Sequence, residues 1–285
     1  MKSPSELHED QIAFWNGPGG ARWVAGQARI DVMLAPVLGA LLRHAAVRPG
    51  DAVLDIGCGS GAATIELARR VGPTGRVVGL DVSAPMLACA RERSAGIANI
   101  DFVGADAAVH RFAEPFDLLF SRFGVMFFGD PVAAFANLRR ALKPGGRLVF
   151  ACWRDFDENL WMKVPLKAAY AHVPKLPPVG PEDPGPFAFA DRDRVTRILA
   201  GGGFVAPRFT PADLMLDLSA GGGLAAAVEQ ATTVGAASRA MQDQPETARE
   251  AATEAIREAL APYVAGDQVL LPGTIWLVDA AGSTV

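Results

Sequence analysis

Ala52-Val53-Leu54-Asp55-Ile56-Gly57-Cys58-Gly59-Ser60-Gly61 reads as a buried strand running into a glycine-rich turn. An acid, Asp55, stands two residues before the first glycine. A second strand, Arg76 to Val82, ends on another acid, Asp81. Strand, glycine turn, helix, strand, acid is the order of a nucleotide-binding βαβ unit. What decides function is which nucleotide the unit takes.

Gly57-x-Gly59-x-x-Ala62 satisfies the dinucleotide fingerprint G-x-G-x-x-G/A. A dinucleotide sets its pyrophosphate against this turn and the helix N-terminus behind it. Asp55 at the mouth of the turn would repel a phosphate. The same carboxylate attracts a ligand that brings an ammonium and a sulfonium and no phosphate. S-adenosylmethionine (SAM) is such a ligand. Asp81, at the tip of the second strand, can accept hydrogen bonds from ribose hydroxyls and serves an adenosine of either kind. Asp55 therefore favours SAM over NAD, and Asp81 is neutral between them.

Composition narrows the field further. The chain has 285 residues, half of them apolar, which is ample for a large core. A net charge of −4 gives no sign of a phosphate-tracking surface, so nucleic acid is not an expected partner. Met1 to Asp10 is polar and lacks the apolar region of a signal peptide. The longest apolar run, Val32 to Leu42, is too short to span a bilayer. Cys58, Cys89 and Cys152 have neither metal spacing nor a disulfide framework. The expectation is a soluble, cytoplasmic protein with no metal and no integral membrane association; a homo-oligomer is compatible with the sequence.

Along the chain, residues 7–45 read as two helices joined at Gly17-Pro18-Gly19-Gly20, with Trp15 and Trp23 flanking the break. Strands are expected at about 52–56, 76–81, 100–103, 116–121 and 147–152. Helices are expected at about 61–71, after a Ser83 cap, and from Asp130 to Leu142, where Lys143-Pro144-Gly145-Gly146 stops the last one. Residues 153–190, rich in proline and phenylalanine, read as an ordered loop with short helices over the site. Beyond them, 191–200 is a helix, 204–218 a strand, 246–260 a helix with a charged face, and 274–279 a last strand. This divides a single structural domain into an N-terminal helical flap (1–45), a nucleotide-binding core (46–152), a lid (153–190) and a completing part (191–285) with a helical insert at 219–268.

Residues 47–152 resemble the core of a class I SAM-dependent methyltransferase, of the small-molecule subgroup that includes the ubiquinone and menaquinone methylases. Five stretches carry the resemblance, in the family's order: Val53 to Gly61; Gly79-Leu80-Asp81-Val82-Ser83 with Met86 and Ala90-Arg91; Gly104-Ala105-Asp106-Ala107; Phe116-Asp117-Leu118-Leu119-Phe120-Ser121; and Leu142-Lys143-Pro144-Gly145-Gly146-Arg147-Leu148. The resemblance implies an α/β fold: a doubly wound, Rossmann-like, seven-stranded, mostly parallel sheet whose last strand is antiparallel, with helical lid insertions. It implies SAM as cofactor and S-adenosylhomocysteine as product.

The expected cofactor contacts follow from the same stretches. Gly57 and Gly59 let the backbone approach the methionyl part. Asp55 stands near its ammonium, and Asp81 with Val82 takes the ribose. Met86 packs on the adenine. Asp106 matches the family's acid for the adenine amino group, and Ala107 offers a backbone N–H. Ser121, Arg122 and Phe123 lie at the carboxyl end of the fourth strand, where ligands sit in open α/β sheets. Cys58 occupies a position that many family members fill with cysteine without a covalent role. Trp15 and Trp23 beside the glycine hinge suit a flap that closes on cofactor and acceptor.

Methyl transfer from a sulfonium is an in-line displacement in which the cofactor supplies the reactivity. The protein aligns the partners, excludes water and takes a proton where the nucleophile carries one. Candidate proton acceptors are His172 with Tyr170 in the lid segment and His110 behind Asp106; some family members need only proximity. Phe123, Met126, Phe127, Trp153, Phe156, Trp161, Phe187 and Phe189 point to a small apolar or aromatic methyl acceptor. The competing readings are an NAD(P)-binding oxidoreductase, disfavoured by Asp55 and the Lys143–Gly146 turn, and a non-catalytic SAM-binding protein.

Overall fold

The structure, a computed structural model, describes residues 3–178, 180 and 182–282. Three helices come first: α1 (Pro4–Asn16), α2 (Pro18–Ala25) and α3 (Gln27–Ala45). The alternating core follows as β1 (Ala52–Ile56), α4 (Ala62–Val71), β2 (Arg76–Asp81), α5 (Ala84–Arg93), β3 (Ile100–Gly104), β4 (Phe116–Arg122), α6 (Pro131–Arg139) and β5 (Leu142–Trp153). The C-terminal part holds α7 (Leu160–Ala169), α8 (Arg192–Gly201), β6 (Phe204–Asp217), α9 (Gly223–Thr233), α10 (Ala236–Met241), α11 (Glu246–Leu260), β7 (Val264–Ala265) and β8 (Gln268–Gly282).

Seven strands lie in the order β3-β2-β1-β4-β5-β8-β6, and two-residue β7 pairs with β8 off this path. β8 runs antiparallel to both β5 and β6, and the other pairings on the path are parallel. The expected fold class, with the last strand reversed, is therefore the observed one. All five residues of β1 are buried, as a central parallel strand requires. Helix α4 turns Ala63, Ile65, Leu67, Ala68 and Val71 to the core and leaves Arg69 and Arg70 in solvent. Strand order reverses between β1 and β4, so a crevice opens at the carboxyl ends of β1, β2 and β4.

Fully buried Phe135 of α6 ties the sheet to the C-terminal part. Its ring centroid lies 5.8–6.2 Å from those of Phe128, Phe150, Phe189 and Phe204. The segment before α8, strand β5 and strand β6 thus share one aromatic cluster.

The N-terminal and edge regions differ from the sequence reading. The N-terminal region has three helices, with a second break at Gly26. Pro18 opens α2, where its missing N–H costs nothing, so the Gly17–Gly20 stretch is helix start and not a long joint. Helix α6 ends at Arg139, and Lys143–Gly146 lies inside β5. Phe116 pairs with Leu142 and Leu118 with Arg147, so those four residues bulge out of the ladder. Gly145, at φ +76°, makes that bulge possible. Strand β8 begins at Gln268, ahead of its Pro272-Gly273, because buried Val269 and Leu271 extend the ladder along β6. Among the described residues no single helix is long and apolar enough to cross a membrane.

Candidate functional site

The glycine turn closes on β2. Gly57 and Cys58 donate their N–H groups to Leu80 O at 2.8 and 3.1 Å. Gly57 has φ +65°, and a Cβ there would lie 2.6 Å from Gly124 Cα. The turn after β1 therefore packs backbone to backbone on the turn after β4. Ser121 Oγ locks this contact by donating to Ile56 O at 2.7 Å. The close approach holds Phe123 at φ +71°, a left-handed conformation that costs a bulky residue about 1–3 kcal/mol. Its ring stacks on Trp153, with centroids 4.2 Å apart and 16° between planes.

Three of the carboxylates that line the resulting cavity, Asp81, Asp106 and Asp55, have different partners. Asp81 accepts from Gly59 N and Ser83 N, both at 2.8 Å. Burial raises its pKa against the pull of those two bonds. Asp106 accepts from Ala108 N at 2.8 Å and sits 2.9 Å from His8 Nε2. Asp55 accepts from Thr64 Oγ1 at 2.6 Å through Oδ2, while its buried Oδ1 has no partner. Burial pushes the Asp55 carboxyl up to about 7 despite the Thr64 bond and the positive field of Arg122. Arg122 leaves its buried Nη1 without a partner, and burial lowers its pKa.

The N-terminal helices cover the crevice. Asn16 donates to Val82 O at 2.9 Å and accepts from Ala84 N at 3.0 Å. Ser83 Oγ donates to Trp15 O at 2.6 Å, while a Cβ on buried Gly20 would meet that same oxygen at 2.1 Å. Trp15 packs edge-on against Trp23 and Phe127, at 6.0 and 5.2 Å. Opposite, Trp161 extends the Phe123–Trp153 stack at 5.0 Å. Between these aromatic walls lies a cavity of about 480 Å³, within the usual range for small-molecule sites.

A family described as a methyltransferase domain matches residues 53–146, which run from β1 into the β5 bulge and include the turn, Asp55, Asp81 and Asp106. This stretch is a class I SAM-dependent methyltransferase domain. A demethylmenaquinone methyltransferase of Staphylococcus aureus is 38% identical over 110 residues, 38% of this chain and 46% of that protein. The chain thus spans about half the length of the curated relatives it matches. The YcgJ protein of Bacillus subtilis superposes with a TM-score of 0.56 at 15% identity, over 87% of this chain and 98% of that one. The phosphoethanolamine N-methyltransferase 2 of Haemonchus contortus, solved with phosphomonomethylethanolamine and S-adenosylhomocysteine, gives 0.54 at 18% identity, over 91% of this chain and 58% of that one. At these identities the two structures share the fold.

The methyltransferase domain brings Asp55, Gly57, Cys58, Gly59, Asp81, Val82, Met86, Asp106, Ala107, Arg122 and Phe123 to the cavity, and α1 and α2 add Trp15 and Trp23. Ser121 lies behind it, holding Ile56. The Cys58 thiol is buried beside Asp55 and Asp81, and burial together with those carboxylates pushes its pKa up. His110, Tyr170 and His172 are not among the lining residues. The His110 ring packs on Phe112, the Tyr170 hydroxyl accepts from Leu176 N, and His172 is exposed. Of the expected roof, Trp153 and Trp161 face the cavity, Phe156 and Phe187 pack on each other, and Phe189 is in the core.

Several lining residues escaped the sequence reading. His8, Arg22, Asp31, Met162 and Arg239 carry no local motif, and their place depends on how α1, α2, α3, α7 and α10 pack.

Proposed function

We propose that the chain transfers a methyl group from SAM to an O, N or C atom of a small acceptor with an apolar or aromatic body, releasing S-adenosylhomocysteine. The observation that carries this reading is the pair of unpartnered buried atoms in one cavity, Asp55 Oδ1 and Arg122 Nη1. A buried polar atom left unpaired costs about 1–3 kcal/mol, and more when charged. One carboxylate oxygen and one guanidinium nitrogen together complement an amino-acid zwitterion: the ammonium at Asp55 and the carboxylate at Arg122. The methionyl end of SAM is such a zwitterion, whereas NAD would bring phosphate to Asp55. A unit charge pair at about 4 Å is worth about 4 kcal/mol at an effective dielectric of about 20, so the sign of the ligand's charge decides the choice.

When bound, SAM supplies a sulfonium-activated methyl group. The chain's own residues bind and orient. Asp81 has lone pairs left for ribose hydroxyls after accepting from Gly59 and Ser83. Met86 packs against the turn at Gly59 and offers a soft face to adenine. Asp106 and the Ala107 N–H flank the adenine edge, with His8 as a contact from the flap. Residues 1–45 act as the flap over the 46–152 core, residues 153–190 as the lid, and residues 191–285 complete the sheet. Phe123, Trp153 and Trp161 flank the acceptor. No proton transfer is assigned to His110, Tyr170 or His172; alignment and exclusion of water carry the reaction.

The zwitterion assignment is tested by comparing S-adenosylhomocysteine with 5′-methylthioadenosine, which lacks the amino-acid end. The expectation is binding of the full molecule about 10- to 100-fold tighter, with the difference lost in Arg122→Met. Equal affinities in the wild type would remove Asp55 and Arg122 from the cofactor site.

A further inference from the structure

Arg22 of α2 and Arg239 of α10 line the cavity. Neither guanidinium makes a hydrogen bond or an ion pair with a carboxylate among the described residues. Five acids line the cavity, Asp10 and four that have partners other than these arginines. Asp31 pairs with Arg93 at 2.6 Å, Asp106 meets His8, Asp81 holds two backbone N–H groups and Asp55 holds Thr64. Glu229 of α9 is paired with Arg29 at 2.6 Å.

Arg239 lines the cavity and is exposed, and Arg22 beside it is half-buried. Burial lowers the pKa of Arg239 first, the Tyr170 phenol raises it, and Arg22 is close enough to lower it again. Two like charges within electrostatic reach, in a chamber walled by tryptophan and phenylalanine, are costly without a counter-charge. A planar carboxylate suits a guanidinium fork, which binds it through two parallel hydrogen bonds.

We propose that Arg239, assisted by Arg22, binds a carboxylate on the methyl acceptor, so that the acceptor is an aromatic or apolar acid. This rests on the reading of the cavity as a methyltransferase site. It places a specificity-determining residue in the helical insert, outside the part of the chain that matches the family.

The test is calorimetric titration of the full chain with 2-naphthoate and benzoate and with the neutral 2-naphthamide and benzamide. Titrations are run with and without saturating S-adenosylhomocysteine. Each acid is expected to bind at least ~10-fold tighter than its amide. Arg239→Gln should abolish that preference, Arg239→Lys should keep part of it, and Arg22→Gln should reduce it. Thermal melts verify that the variants fold; should Arg239→Gln fail to fold, Arg239→Lys and Arg22→Gln decide. Acids that bind no tighter than amides, acids that do not bind, or a preference unchanged in the folded variants would each overturn the proposal. S-adenosylhomocysteine binding without acid preference strikes this proposal alone. Acid preference without S-adenosylhomocysteine binding strikes the cofactor reading and leaves the charge site standing.

Discussion

Asp55, one residue before the end of β1, and Arg122, the last residue of the parallel neighbour β4, each leave one buried polar atom unpartnered on the same cavity. The third such atom among the described residues, Arg154 Nε, lies elsewhere, where the Arg154 guanidinium sits 4.9 Å over the Trp276 ring. Opposite charges held apart in this way are complementary to a zwitterion. Arg122→Met should therefore weaken SAM binding by about 1.5–3 kcal/mol, the worth of a hydrogen bond to a charged group. Calorimetry of wild type and variant measures this.

Asp55 also sets a pH dependence. Its carboxyl titrates near 7 in the folded chain against an ordinary value of 3.8. Between those values the folded chain holds a proton that the unfolded chain has released. Stability from this group is therefore full below about pH 4, falls as pH rises towards about 7, and is flat above. Asp55→Asn should flatten this part of the melting-temperature profile. The ammonium of SAM favours the ionised carboxylate, so SAM affinity should rise with pH across about 6 to 8. The affinity of 5′-methylthioadenosine should stay level over the same range.

Asp81 joins two elements as well as facing the cavity. Asp81→Ala should weaken SAM binding by about 1–3 kcal/mol through lost charge-assisted bonds. It also frees the N–H groups of Gly59 and Ser83, so the melting temperature should fall with it. Unchanged binding in a folded variant would take Asp81 out of the site.

The junction of α1 and α2 is fastened to the turn after β2. Asn16 and the Trp15 carbonyl bind Val82, Ala84 and Ser83. Gly20→Val would drive a side chain into Trp15 O, because even a Cβ would lie 2.1 Å from it. Hydrogen exchange over residues 4–25 should accelerate in this variant, while that of β1 and β4 stays slow.

Phe135→Ala should destabilise the chain by about 3–5 kcal/mol, since it empties the centre of a five-ring cluster with no neighbour free to fill it. Chemical denaturation measures the loss. SAM affinity of the folded fraction should be unchanged, because Phe135 does not line the cavity.

What could be read from the sequence was whatever is written locally. The turn at Gly57–Gly61 and the acids at Asp55, Asp81 and Asp106 lie within two residues of strand ends that their own apolar runs announce. Helix starts at Ser83, Asp130 and Asp191 were legible because a capping side chain bonds only two or three residues ahead. The bulge at Lys143–Gly146 was not, because proline and glycine mark a chain stop and an expelled loop alike. The charged pair Arg22 and Arg239 was invisible for a different reason: each is an ordinary helix-surface arginine until α2 and α10 meet across the cavity. His8 is the same case, reaching Asp106 only when α1 docks.

The most direct test of the central claim is calorimetric titration of the purified chain with SAM, S-adenosylhomocysteine and NADH. The account predicts saturable binding of the first two at a shared site and none of NADH. Binding of NADH there, or failure of both adenosyl ligands, would contradict it.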